Sequence, residues 1–349
     1  MTAEIAARIS CRAPLRVSFF GGGSDFPEIF EHQRGAVLST AVDLSTHVWL
    51  KPTPPSLFEH PFRLFFGAPE LRLDVESIEN ALSRELLRAH PRPWIEIHSA
   101  GDVPQGSGLG SSSSFSVALL KGLHALQGRS PDPMDLAYEA IELERRATDN
   151  GVGCQDQVMA AVGGFRRIEM RRLDDIDTEP VPIGADRLRE LESQLVLTYI
   201  GAPRSAADLE RRKLKKVRRN ADTLRAMVQQ VDEAFNLLAG TASLAPFGEA
   251  LHRSWTAKRS LASGVSNPEI DGLYESCRTA GALGGKLLGA GGAGFLMLFV
   301  PPERLDSVVA VIRNTGRTVL RPRLGCDGVR SWADPPTKTP PQSQGGHGR

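Results

Sequence analysis

The sequence predicts a protein of mixed helices and strands built around an anion-binding loop. Three observations carry this. A glycine- and serine-rich stretch, Pro104-Gln105-Gly106-Ser107-Gly108-Leu109-Gly110-Ser111-Ser112-Ser113-Ser114, runs directly into an apolar helical repeat at Phe115, Leu119, Leu123 and Leu126. Alternating or continuous apolar segments, such as 8–20 and 195–200, read as strands set among helical segments. The 349 residues are 41% hydrophobic and 24% charged, the balance of an ordinary globular chain.

That composition excludes several classes. A net charge of +1 provides no global field toward nucleic acid or membrane. No run of 18 apolar residues occurs, so no spanning helix is expected, and residues 1–8 lack a signal h-region. Cys11, Cys154, Cys277 and Cys326 are scattered without a Cys-x-x-Cys pair, which favours reduced thiols and a cytoplasmic location over a disulfide frame or a zinc site. The length suits two domains sharing an interface or one large domain. Residues 334–349 are almost devoid of apolar side chains and are expected to be disordered.

The order of elements begins with a strand over 8–20. It runs into Gly21-Gly22-Gly23-Ser24-Asp25, where the glycines present Ser24 and Asp25 at a strand end, either as ligand contacts or as a plain turn. Residues 36–51 read as one or two strands, 57–74 as short strands with turns, and 75–90 as an amphipathic helix. Residues 94–98 form a strand feeding the central loop. A helix start there leaves backbone N–H groups unpaired at the positive end of the helix dipole, glycines let the loop curl around an anion, and serine hydroxyls add donors. The loop is not a Walker motif, since no Gly-Lys-Ser/Thr follows.

Beyond it, 132–146 reads as a helix whose Glu139 and Glu142 are expected on a solvated face. Asp156 stands before a short helical segment, 157–162, as an N-cap or as a base. A strand over 165–170 precedes a charged, loop-like stretch, 171–193, with a domain boundary near 185. After a strand over 195–200, a helix from 207 carries seven cations in nine residues, 211–219. They lie on all sides without interleaved aromatics, so a solvated helix outweighs a nucleic-acid surface. Helices continue to 262 and over 268–279. Gly289, Gly291 and Gly294 match G-x-G-x-x-G, but a strand, 295–300, follows instead of a helix, which excludes a dinucleotide fold. A helix over 303–314 and a short strand over 318–321 complete the pattern.

The loop, with its Gly-Leu-Gly-Ser-Ser-Ser core, resembles the phosphate loop of the GHMP small-molecule kinases. Residues 12–25, Arg-Ala-Pro-Leu-Arg-Val-Ser-Phe-Phe-Gly-Gly-Gly-Ser-Asp, are similar to the family's first motif and stand closest to its sugar-1-kinase branch. The segment Gly-x-x-Asp-Gln at 153–157 resembles the one holding the catalytic aspartate, and 284–295 the third motif, with Ala293 replacing a usual glycine. The resemblance spans roughly 8–331 and implies an α+β GHMP fold. A ribosomal-S5-like N-terminal domain (1–185) would carry the loop, and a ferredoxin-like C-terminal domain (186–333) would close the cleft. It implies ATP and Mg²⁺. Pro104, Gly106, Ser107, Gly108, Leu109, Gly110, Ser111, Ser112 and Ser113 would bind ATP. Ser112 and Glu144 would ligate the metal, and Asp156 would act on the acceptor hydroxyl, steadied by Arg16. Ser24, Asp25, Gln157, Gly291, Gly292 and Arg204 would meet the substrate.

The implied acceptor is a sugar phosphate, a heptose 7-phosphate phosphorylated at its anomeric hydroxyl. The alternatives are a sugar-1-kinase acting on an unphosphorylated sugar and a non-catalytic ligand-binding relative. For Arg204 the residues alone leave an ordinary surface arginine equally open. No nucleic acid or membrane partner is expected, and a homodimer is left open.

Overall fold

The structure is a computed structural model that describes residues 7–201 and 221–334. The expected helix from 207 with its cations, Arg204, and the tail beyond Asp334 lie outside the described residues.

The first sheet is organised by two long strands, β1 (Arg8–Phe20) and β2 (Gly35–Pro52), paired antiparallel. The 36–51 segment is thus a single strand. Between the two, a single helical turn, α1 (Pro27–Phe30), follows the glycine turn. One end of β2 pairs with β5 (Ile95–Gly101) and the other with β6 (Phe165–Arg172). Strands β3 (Phe62–Phe65) and β4 (Pro69–Arg72) extend the β5 edge, and β7 (Asp175–Pro180) extends β6. A strand the sequence did not announce, β12 (Arg330–Asp334), comes from the C-terminal 186–333 segment yet pairs with β1.

Helices α2 (Ala81–Ala89), α3 (Ser111–Leu126), α4 (Pro133–Ala147) and α5 (Gln155–Val162) cover one face, with Val117, Leu120, Leu136, Ile141 and Val158 packed on Val48, Leu50 and Ile97. Two boundaries differ from expectation. The helix expected over 75–90 begins only at Ala81, because Asn80 accepts a hydrogen bond from Ser83 N and caps it there. The charged 171–193 stretch holds β7 and helix α6 (Ala185–Ser193), whose burial is confined to Leu191, too little for an apolar period to show.

A second, four-stranded antiparallel sheet has the order β11 (Val319–Leu320), β8 (Leu195–Tyr199), β10 (Phe295–Phe299), β9 (Gly284–Leu287). Helices Ala245–Leu261, Pro268–Thr279 and Leu305–Asn314 pack on it through Trp255, Tyr274 and Ile312. A shared core joins Leu15, Val17 and Phe19 of β1 to Val231 of helix Ala221–Ala239 and to Met297 and Phe299 of β10.

The two cores divide β1 in an informative way. Cys11 and Ala13 point into the first core, but Leu15, Val17 and Phe19, of the same parity, point into the second. The exchange falls where the β1–β2 pairing is irregular: Pro14 pairs with Ser45 and Arg16 with Ala41, so two steps along β1 face four along β2 and the regular alternation of faces is interrupted there. Arg16 stands just past that irregular stretch.

Candidate active site

The central loop joins β5 to α3, the strand–loop–helix order an anion cradle needs. Gly110 sits at the N-cap of α3 with φ +79°, a left-handed conformation costly for any other residue. A methyl group there would lie 3.1 Å from Asp156 Oδ2, so the glycine also leaves room for that carboxylate against the loop. No side chain among the described residues caps α3, so its first N–H groups remain available to an anion. Ser114 Oγ donates to Ala13 O (2.9 Å) and ties the loop to β1.

The stretch between β9 and β10 packs on the same loop. A Cβ on Gly108 would meet Leu288 O at 2.6 Å, and Phe295 N donates to Ser107 O (2.9 Å). Ala293 does not adopt a positive φ, so its side chain brings no backbone strain, and it lies on the cavity wall.

Between the two sheets lies a cavity of about 250 Å³, walled by Arg16, Asp25, Ser112, Gln155, Asp156 and Lys286 among others. Arg16 grips Asp156 with both arms of its fork, Nε to Oδ1 and Nη2 to Oδ2, each 2.6 Å, while Nη1 donates to Gly108 O at 2.6 Å. Asp156 is not the N-cap of α5; Cys154 holds that position, and Asp156 lies in the first turn. The guanidinium therefore fixes the carboxylate and the loop together, and bidentate charge-assisted bonds of this kind are strong and directional.

Glu144, on α4, is fully buried beside them. Its oxygens accept from Ser112 Oγ (2.8 Å) and Gln157 Nε2 (2.7 Å). Burial pushes its carboxyl up to about 6, with the nearby Asp156 charge adding to the rise, although the hydrogen bonds from serine and Gln157 oppose it. A buried carboxylate met only by neutral donors, with serine oxygen beside it, is an all-oxygen donor set of the kind that suits Mg²⁺.

The sequence-predicted residues divide between cavity and scaffold. Gly106, Gly108, Gly110, Ser111, Ser112, Asp25, Gly291, Asp156 and Arg16 line the cavity. Pro104, Ser107, Leu109, Ser113, Glu144, Ser24, Gln157 and Gly292 are not on its wall, Glu144 lying behind Ser112. Ser24 is fully buried, donating to Gly21 O (2.8 Å) and accepting from Ala36 N (3.1 Å), so it staples the turn rather than facing a ligand. Gln157 supports Glu144, and Gly292 N donates to Val265 O (2.9 Å). Asp25 accepts from Gly23 N and from Gln155 Nε2, both 2.9 Å.

Several wall residues were not among those expected from the sequence, and three of them carry long polar side chains: Gln155, Lys258 and Lys286. Gln155 is 7% exposed, and because its amide nitrogen faces Asp25, its Oε1 is fixed as an acceptor without a partner. Lys286 Nζ donates to Phe19 O (2.9 Å), and Lys258 Nζ to Leu287 O (2.9 Å) and Gly289 O (2.6 Å), both side chains being buried. Gln155 and Lys286 lie inside the 153–157 and 284–295 motifs, at positions those motifs do not specify, while Lys258 lies in an unmarked helix.

A second slot of about 330 Å³ shares Gly106, Ser111 and Ser112 with the cavity and continues past Phe66, Asn80, Val103 and Phe115. No helix among the described residues is long and apolar enough to cross a membrane.

Comparison with known proteins agrees with this geometry. Residues 76–164 match the model of the GHMP kinases N terminal domain, and residues 234–318 that of the GHMP kinases C terminal. The D-glycero-alpha-D-manno-heptose 7-phosphate kinase of Campylobacter jejuni is 28% identical over 339 residues, covering 93% of this chain and 98% of its own. The mevalonate kinase of Thermococcus onnurineus is 26% identical over 353 residues, with 93% and 98% covered. A crystal structure described as a D-glycero-D-manno-heptose 1-phosphate kinase from Bacteriodes thetaiotaomicron superposes with TM-score 0.73 at 24% identity, covering 93% of this chain and 98% of that one. That likeness establishes the fold. With both domain models matched, the cradle in place and α+β architecture throughout, the chain belongs to the GHMP kinase family, whose members are ATP-dependent small-molecule kinases.

Proposed function

We propose that this kinase transfers the γ-phosphoryl group of ATP to the C1 hydroxyl of D-glycero-D-manno-heptose 7-phosphate, giving the 1,7-bisphosphate on the way to a nucleotide-activated heptose. The observation that carries the reading is the Arg16–Asp156 pair, locked against the phosphate loop at Gly110 and open to the cavity. The 28%-identical relative named for heptose 7-phosphate supports the acceptor. The N-terminal lobe, 1–185, carries the cradle and the C-terminal lobe, 186–333, closes it.

Phosphoryl transfer asks mainly for positioning and charge neutralisation. Gly106 through Ser112 would hold the triphosphate, with the nucleoside in the slot past Phe66 and Asn80. Ser112 and Glu144 would hold Mg²⁺, which supplies charge neutralisation at the phosphates. Asp156 would orient the acceptor hydroxyl and take its proton as the P–O bond forms, while Arg16 keeps the carboxylate aimed. Asp25, Gln155 and Gly291 would face the sugar. Arg204, outside the described residues, would meet the remote phosphate.

The two heptose kinase names place the acceptor's phosphate differently, at C7 and at C1, so the acceptor is the point to test. Initial rates with ATP should be compared for heptose 7-phosphate, heptose 1-phosphate, free heptose and mevalonate. Heptose 7-phosphate should lead in kcat/KM by at least about tenfold, an energy of about 1.4 kcal/mol that one well-formed phosphate contact can supply. Equal rates on heptose 7-phosphate and free heptose would remove the remote phosphate from recognition. A lead by mevalonate would overturn the sugar assignment.

A further inference from the structure

His90, His124 and Glu139 converge from three elements of the helical layer, and none of them lines the kinase cavity or the slot beside it. His90 is the C-cap of α2, His124 lies in the last turn of α3, and Glu139 is at mid-length of α4. The sequence reading placed Glu139 on a solvated face; the structure places it between two histidines that are each 6% exposed. Glu139 Oε1 meets His90 Nε2 at 2.5 Å, and Oε2 meets His124 Nε2 at 2.7 Å. One potential ligand atom from each of the three lies within 4.8 Å of the others.

We propose that these three side chains form a divalent-cation site of the zinc class, separate from the kinase's own metal. Two imidazoles and one carboxylate are the donor set of many three-ligand zinc centres, with water in the fourth position. The charge balance is favourable. One carboxylate oxygen faces each imidazole Nε2, so a single anion and two imidazole nitrogens converge on one point.

The geometry needs only a small adjustment. Zinc bonds of about 2.0–2.2 Å set tetrahedral ligand atoms roughly 3.3 Å apart. The N···O separations of 2.5 and 2.7 Å must then widen by roughly 0.8 and 0.6 Å, which the Glu139 side chain, 29% exposed, can supply by rotation, while the two imidazole nitrogens, within 4.8 Å of each other, settle to the same spacing. The far nitrogens allow the exchange. His124 Nδ1 is buried without a hydrogen-bond partner, so nothing but the group at Nε2 sets its tautomer. His90 Nδ1 has only Arg129 Nη2 at 3.5 Å, and that exposed guanidinium also holds Gln127 Oε1, so it can swing aside when the ion takes Nε2. An ion here would tie α2 and α4 to the end of α3, the helix whose start forms the cradle.

The test is a calorimetric titration of the metal-stripped, full-length protein with Zn²⁺ in excess Mg²⁺, which keeps the Ser112–Glu144 site occupied. The wild type should bind one equivalent that Glu139→Gln and His90→Gln each lose or weaken by at least about tenfold. Glu139→Gln is the safer variant, since its side chain is partly exposed and its shape is kept. Co²⁺ in place of Zn²⁺ should give the visible bands of a four-coordinate nitrogen–oxygen site in the wild type and none in either variant. Absence of tight Zn²⁺ binding, an equal stoichiometry in all three proteins, or sulfur-to-cobalt charge-transfer bands pointing to cysteine would each overturn the proposal.

Discussion

Asp156 and Glu144 stand on neighbouring helices, the first on the cavity wall and the second buried behind Ser112, and the fold treats them in opposite ways. Asp156 is held by a bidentate guanidinium, whereas Glu144 is buried among neutral donors and pushed up to about 6. The difference teaches what each carboxylate lacks. Asp156 has its counter-charge within the chain and is thereby fixed in direction, as an oriented hydroxyl partner must be. Glu144 has none among the described residues, and a cation brought with the nucleotide would relieve its burial. One site is complete and aimed; the other is completed by binding.

The largest effect should come from breaking the aimed site. Asp156→Asn keeps shape but surrenders the charge and the proton acceptor, so kcat should fall by about 10²–10⁴ while nucleotide affinity stays close to wild type. Equilibrium nucleotide binding alongside steady-state rates checks this, and near-normal turnover would remove Asp156 from the chemistry.

A middle-sized effect belongs to the other carboxylate. Glu144→Gln should raise the Mg²⁺ concentration for half-maximal rate by about tenfold or more, because an oxygen shell loses its charge. At limiting Mg²⁺ the wild-type rate should fall as pH drops through about 6, where Glu144 takes a proton, and the variant should lose that limb. Superimposable Mg²⁺ curves would make Glu144 a purely structural residue.

The smallest effect sharpens the contrast through stability. The folded-state value for Glu144, about 6, lies above the ordinary glutamate value of 4.5, so between those pH values the folded form binds more protons than the unfolded. Stability should therefore decline as pH rises through this window, by at most about 2 kcal/mol from this group. Without Mg²⁺, Glu144→Gln should be more stable than wild type at neutral pH and nearly equal below pH 4.5, as denaturant titration at both pH values would show. A variant destabilised equally at both pH values would mean that its hydrogen bonds outweigh the buried charge.

Local chemistry explains what could be read in advance. The phosphate loop was legible because glycine, serine and a helix start are short-range signals, and helix Pro268–Thr279 because Asn267 caps it and proline opens it. Helix α6 was hidden because its exposed, charged turns lack a periodic apolar face. Strand β12 was hidden because its partner, β1, lies over 300 residues earlier. Ser24 and Gln157 were read as ligand contacts from their motifs; packing turned the one into the backbone of the glycine turn and the other onto Glu144.

The sequence by itself determined the strand–loop–helix cradle, the alternation of elements and the residue types suited to phosphoryl transfer, since each depends on neighbours a few positions apart. Only the tertiary structure decided which polar groups face the cavity. Arg16 stands just past the irregular stretch of the β1–β2 pairing and reaches Asp156 on α5, and Lys258 and Lys286 reach the wall from the second sheet and its helices. His90 and His124 meet Glu139 because three helices cross. Those meetings depend on side-chain direction across distant segments, which spacing along a chain does not encode.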